Sequence, residues 1–107
     1  MEEKRILLTG FEPFSSLDIN ESSEVVKLIS NTGLQDIEII PSILSVDEEG
    51  TESSLDILKA MEFDAVIHLG LSRDSEKILF ERFATNLISM ELPDNSGRVV
   101  KLSLIHI

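Results

Sequence analysis

A chain of 107 residues, 42% of them hydrophobic and with a net charge of −11, has the material for one domain with its own core. Twenty acidic residues against nine basic ones repel phosphate backbones and anionic lipids, which argues against nucleic-acid and membrane-surface partners. There is no cysteine, so disulfides, thiolate metal ligands and a cysteine nucleophile are excluded within these residues.

The stretch from Met1 to Leu8 is too short to be a signal-peptide core, and no apolar run approaches the length of a membrane span. A cytoplasmic location is the resulting expectation. Arg5 to Thr9 then reads as a buried strand stopping at Gly10, and Gly10 to Asn20 as a long loop. Asn20 suits a helix N-cap, with Glu21 and Glu24 complementing the dipole of the first turn. Val25, Val26, Leu28 and Ile29 form an apolar stripe, and Asn31 to Gly33 supplies the stop.

Asp36 to Ile40 alternates as a second strand, after which Pro41 pushes Ser42 to Val46 towards extended structure or a sheet edge. Ser45 or Asp47 can cap a second helix carrying Leu55, Ile57, Leu58 and Met61. Asp64 to Leu69 is a third, almost wholly apolar strand closed by Gly70. A further strand or strand pair is expected between Ile78 and Met90, then a turn from Leu92 to Gly97. Alternating strands and helices predict a mostly parallel sheet with helices on its faces. The apolar end, Leu102 to Ile107, reads either as a final strand or as the end of a truncated chain, and truncation is the expectation.

In open α/β sheets, ligands bind beyond the carboxyl ends of the strands. Two loops leave such ends, Gly10 to Asn20 and Gly70 to Ile78. In the first, Phe11 and Phe14 flank Pro13 and either wall a slot for a small flat ligand or plug the top of the core. No glycine-rich phosphate loop is present, so no nucleotide cofactor is expected. His68, inside an apolar strand, reads as a satisfied core histidine, and His68 and His106 lack the spacing of a metal site. Glu81, if extended, shares a face with Phe83, Thr85 and Leu87. A carboxylate facing inward there needs a partner or a task, the bland alternatives being a pair with Arg82 or Arg73 or a solvated edge.

The run Leu7-Leu8-Thr9-Gly10-Phe11-Glu12-Pro13-Phe14, followed by Asn20-Glu21-Ser22, resembles the opening of pyroglutamyl peptidase I. Asp64 to Gly70 is similar to that family's Asp-Ala-Val-Ile-x-Leu-Gly strand, Glu81-Arg82-Phe83-Ala84-Thr85-Asn86 to its Glu-Arg-x-Ala-x-Asn motif, and Pro93 to Gly97 to its Pro-Asp-Asn-x-Gly turn. Four motifs in the family's order cover Arg5 to Gly97. Residues 1–97 are therefore expected to be the N-terminal part of the family domain, with 98–107 as an unmatched tail related to truncation.

The resemblance implies a three-layer α/β/α fold, incomplete at its C-terminal end, and a cysteine peptidase that removes N-terminal pyroglutamate from peptides. In that family a thiolate attacks the amide carbonyl, a histidine shuttles the proton and a glutamate supports the pair. It puts the supporting catalytic glutamate at Glu81, the ring-binding phenylalanines at Phe11 and Phe14, and a backbone contact at Asn20. No cofactor or metal is implied. The family's cysteine and histidine lie further along the chain than this sequence runs, so the chain is expected to be inactive in isolation, or else to be a non-catalytic module that keeps a lactam or peptide-end pocket. Three departures bear on substrate preference: Leu71 where many members carry glutamine, Glu91 where arginine is usual, and Ser15-Ser16 in place of a common Gly-Gly.

Overall fold

The run Ile6-Leu7-Leu8-Thr9 carries bulky side chains on both faces of an extended chain, so it is stable only where both faces are covered. The computed structural model describes residues 3–14, 18–72, 74–82, 87–88, 95–96 and 103–104. In it this run lies within β1, Lys4–Phe11, the middle strand of a parallel sheet. Leu7 and Leu8 point to opposite faces yet are 0% and 3% exposed. Helix α1 spans Glu21–Thr32, β2 Ile37–Leu44, α2 Glu48–Ala60 and β3 Ala65–His68, and the strand order is β2-β1-β3. The chain steps to one side of β1 through α1 and to the other through α2. Right-handed crossovers then carry the two helices to opposite faces. This is a small α/β sheet between helices.

Both helices begin where a side chain takes up their free amides. Asn20 caps α1 and Asp47 caps α2, accepting from Gly50 N at 2.9 Å. Of the two caps the sequence offered for α2, Asp47 is used, while Ser45 donates its hydroxyl to Asp47 Oδ1 at 2.6 Å. Helix α1 ends at Gly33, whose φ of 73° is favourable only for glycine. The apolar stripe of α1 is split: Val26 is buried against the sheet, whereas Val25 and Leu28 are exposed.

Strand β2 runs through Pro41, which pairs in register with Leu8, and β2 is an edge strand as the proline requires. Arg5 ties the amino end of the sheet together. Its Nε meets Glu38 Oε2 at 3.0 Å, its N–H donates to Asp64 Oδ2 at 2.8 Å, and Asp64 N–H donates back to the Arg5 carbonyl at 2.8 Å.

Strand β3 departs from the reading its composition suggests. All four of its residues are exposed, including Val66 and Ile67 on opposite faces, because among the described residues it forms the other edge and neither helix packs extensively on it. Beyond it, Ile78, Leu79 and Phe80 are exposed and form no strand. Within the interval expected to hold a strand or strand pair, the described residues form only β4, Leu87–Ile88. It pairs antiparallel with β5, Ser103–Leu104, from the apolar tail.

Gly10 lies where β1 passes under the first turn of α1. A methyl group there would sit 2.6 Å from the Ser22 carbonyl oxygen and 3.0 Å from Val26 Cγ2, and backbone cannot yield as a side-chain tip can. Gly10→Ala is therefore expected to destabilise the chain by about 1–3 kcal/mol through overpacking. Gly70→Ala, with nothing within 4 Å of the added carbon, should stay within about 0.5 kcal/mol of the parent. Urea denaturation midpoints of the two variants check this contrast.

Candidate functional site

Parallel strands deliver their carboxyl ends to one rim, and three connections emerge there: 12–20 after β1, 45–47 after β2 and 69–71 after β3. The first is fixed at its root. Glu12 N–H donates to the Leu44 carbonyl at 2.8 Å, extending the β1–β2 ladder by one bond. Phe11 N–H donates to Ser22 Oγ at 2.9 Å, and that hydroxyl donates to Asn20 Oδ1 at 2.7 Å.

Asn20 closes the loop on itself. Only 1% exposed, its Oδ1 also accepts from Ser22 N–H at 3.0 Å, while its Nδ2 donates to the Glu12 carbonyl at 3.2 Å. Its own carbonyl accepts from Ser23 Oγ at 2.8 Å and Ser23 N–H at 3.1 Å. The Asn20 side chain is thus spent on the fold, and any effect of that side chain on a ligand passes through the shape of the loop. Ser22, the hydroxyl between Phe11 and Asn20, went unrecognised in the sequence. The signal was its position two residues after an asparagine at a helix start.

Phe11 and Phe14 are both half-buried, and neither belongs to the buried core of Leu7, Leu8, Val26 and Leu44. Beside their loop opens a cleft of about 590 Å³, lined among others by Glu12, Ser42, Leu44, Asp47, Asn95 and Ser96. Neither phenylalanine lines it, so the cleft and the aromatic pair are neighbours rather than one pocket. Glu12, Asp47 and Glu49 make its rim acidic.

Glu81 stands in exposed, non-strand chain with no hydrogen-bond or ion-pair partner among the described residues. The inward-facing strand considered for it is therefore not formed at that residue. Phe83, Thr85 and Arg73 lie outside the described residues. His68 is exposed, which corrects the core reading, yet it is satisfied: its Nδ1 lies 2.7 Å from the hydroxyl of fully buried Thr9. Of the departures noted in the sequence, Leu71 is half-buried on the rim, while Ser15, Ser16 and Glu91 lie outside the described residues. Among the described residues no group of three His, Cys, Asp or Glu is arranged to hold a metal ion, and no helix is long and apolar enough to cross a membrane.

A family model described as pyroglutamyl peptidase matches residues 4–107. The chain belongs to the pyroglutamyl peptidase family. The match runs through 98–107, for which the motifs gave no correspondence. A pyrrolidone-carboxylate peptidase of Lysinibacillus sphaericus is 37% identical over 94 residues, covering 87% of this chain and 46% of the relative. That of Pyrococcus furiosus is 31% identical over 101 residues, covering 91% of this chain and 47% of the relative. Among solved structures, pyrrolidone carboxyl peptidase from Fervidobacterium islandicum AW-1 superposes with a TM-score of 0.91 at 35% identity, covering 97% of this chain and 50% of that one. Pyroglutamyl peptidase I from Bacillus amyloliquefaciens gives 0.88 at 29% identity, covering 98% and 50%. The chain of this pyroglutamyl peptidase family member thus spans about half the length of the relatives it matches.

Two substitutions separate the two tasks of Asn20. Asn20→Asp keeps an oxygen for Ser22 but loses the donor to Glu12, whereas Asn20→Ala loses both. Asn20→Ala is expected to cost about 2 kcal/mol, and Asn20→Asp about 1 kcal/mol. Chemical denaturation of both variants, with amide hydrogen exchange at Phe11 and Glu12, checks the order.

Proposed function

We propose that this chain is the ring-holding half of a pyroglutamyl peptidase, unable to hydrolyse peptides by itself. In this reading Phe11 and Phe14 hold the lactam ring of a peptide's N-terminal pyroglutamate, and Asn20 shapes the loop that carries them. Glu81 supports a cysteine–histidine pair that lies in the part of the family fold this chain does not span. The carrying observation is that the loop bearing the family's ring-binding phenylalanines is held by hydrogen bonds wholly inside this chain, in a sequence without cysteine.

A thiolate attacking the amide carbonyl needs a sulfur, a base to shuttle its proton and a third group to orient that base. Of these the chain offers the third. Glu81 is exposed, so its carboxylate is accessible to an imidazole supplied from elsewhere in the fold. Losing nucleophile and base together leaves little chemistry. The reading includes peptides as partners of the whole enzyme, no cofactor, and the cytoplasmic setting that the sequence favours.

A second reading has an observation of its own. Because the Phe11–Asn20 clamp is closed without any further residues, the loop is formed ahead of any partner half, and a non-catalytic module binding a lactam or a peptide end is compatible with it.

The 107-residue chain is expected to release no fluorophore from a pyroglutamyl-amide substrate above the uncatalysed rate. Release that persists through purification and resists thiol alkylation would overturn the reading. Joined to the C-terminal half of the Lysinibacillus sphaericus relative, the chain is expected to gain hydrolysis that alkylation abolishes. In that protein Glu81→Gln should lower kcat on the order of 100-fold or more, as loss of an orienting group does. An unchanged kcat would remove Glu81 from its assigned role.

A further inference from the structure

The turn at Asn95 and Ser96 lands on the junction between β2 and α2. Asn95 N–H donates to the Val46 carbonyl at 2.9 Å, and Val46 N–H donates back to Asn95 Oδ1, so one residue satisfies both backbone groups of Val46. Ser96 Oγ donates to Asp47 Oδ2 at 2.7 Å, while the other oxygen of that carboxylate caps α2. The turn is thereby registered on a junction that is itself fixed by a helix start.

The remaining arm of Asn95 reaches the other way. Its Nδ2 donates to the Pro13 carbonyl at 3.4 Å, and Pro13 stands between Phe11 and Phe14. The preceding carbonyl, that of Glu12, is already held by Asn20 Nδ2. Two asparagine carboxamides therefore grip consecutive carbonyls of the loop from opposite ends. Proline already fixes its own φ, so gripping the carbonyls before and after it restrains the orientation of both peptide planes. Those planes set the direction in which Phe14 leaves the chain relative to Phe11.

We propose that Asn95 is a positioning residue for the ring-binding loop: its carboxamide couples the β2–α2 junction to Pro13 and so sets the relative placement of Phe11 and Phe14. The coupling is a statement about geometry. Its bearing on substrate rests on the ring-holding reading above.

Asn95→Asp in the 107-residue chain tests both parts. The substitution keeps an oxygen for Val46 N–H but turns the donor facing Pro13 into a second oxygen that repels it. The expected result is displacement of the Phe11, Glu12 and Phe14 amide resonances, together with about tenfold weaker binding of pyroglutamate. Ser96→Ala, which removes the hydroxyl on Asp47 and leaves the carboxamide, should lower the melting temperature without weakening that binding. Equal pyroglutamate affinity in the parent and Asn95→Asp would overturn the bearing of Asn95 on substrate and leave the ring-holding reading standing. Displaced loop amides with no pyroglutamate binding even in the parent would uphold the coupling and remove the ring-holding reading. Unmoved loop amides in a folded Asn95→Asp protein would overturn the coupling. Should that variant not fold, the unsubstituted chain still decides: nuclear Overhauser contacts between the Asn95 carboxamide and the Pro13–Phe14 backbone are expected, and their absence overturns the proposal.

Discussion

The close approach of β1 to the first turn of α1 governs the rest of the molecule. At Gly10 strand and helix backbones come nearer than any side chain allows, and this brings Ser22 within reach of Phe11 N–H. From there the hydrogen-bond chain runs through Asn20 to Glu12 and ties the start of the loop carrying Phe11 and Phe14 to the start of α1. A strand with both faces and both edges occupied is the rigid platform such a loop needs, and Leu7 and Leu8 provide it. The apolar core thus also supports the loop that carries Phe11 and Phe14.

The two elements that frame the site were legible because each carries its own local signal. Asn20 followed by acidic residues marks a helix start, Gly33 marks its end, and the unbroken apolar run before Gly10 marks a buried strand. The accessibility of β3 was not legible. Val66 and Ile67 look like the interior of a sheet, and composition cannot say whether an element covering them is at hand. The partners of Asn20 and Asn95 were likewise hidden. A side-chain amide advertises that it will bond, but which distant carbonyl it meets depends on the crossover geometry of the whole sheet.

Family membership alone does not establish chemical competence. The hydrogen bonds that join Phe11 and Glu12 to Asn20 and Ser22 are made within this chain. Glu81, by contrast, lies in exposed chain with no partner among the described residues, so nothing described orients its carboxylate. In the proposed reading ring recognition rests on one local loop, whereas a catalytic constellation draws on elements far apart in sequence.

The placement of Pro41 gives the sheet a direction in which it can grow. A proline stays in a paired strand only when its missing N–H faces away from the partner, so the outer margin of β2 is interrupted as a template. The margin of β3 has no such interruption, and its Val66 and Ile67 side chains are apolar and exposed. Recruitment of any further strand, whether from the family's other half or from an unwanted neighbour, is thereby steered to one flank of the molecule.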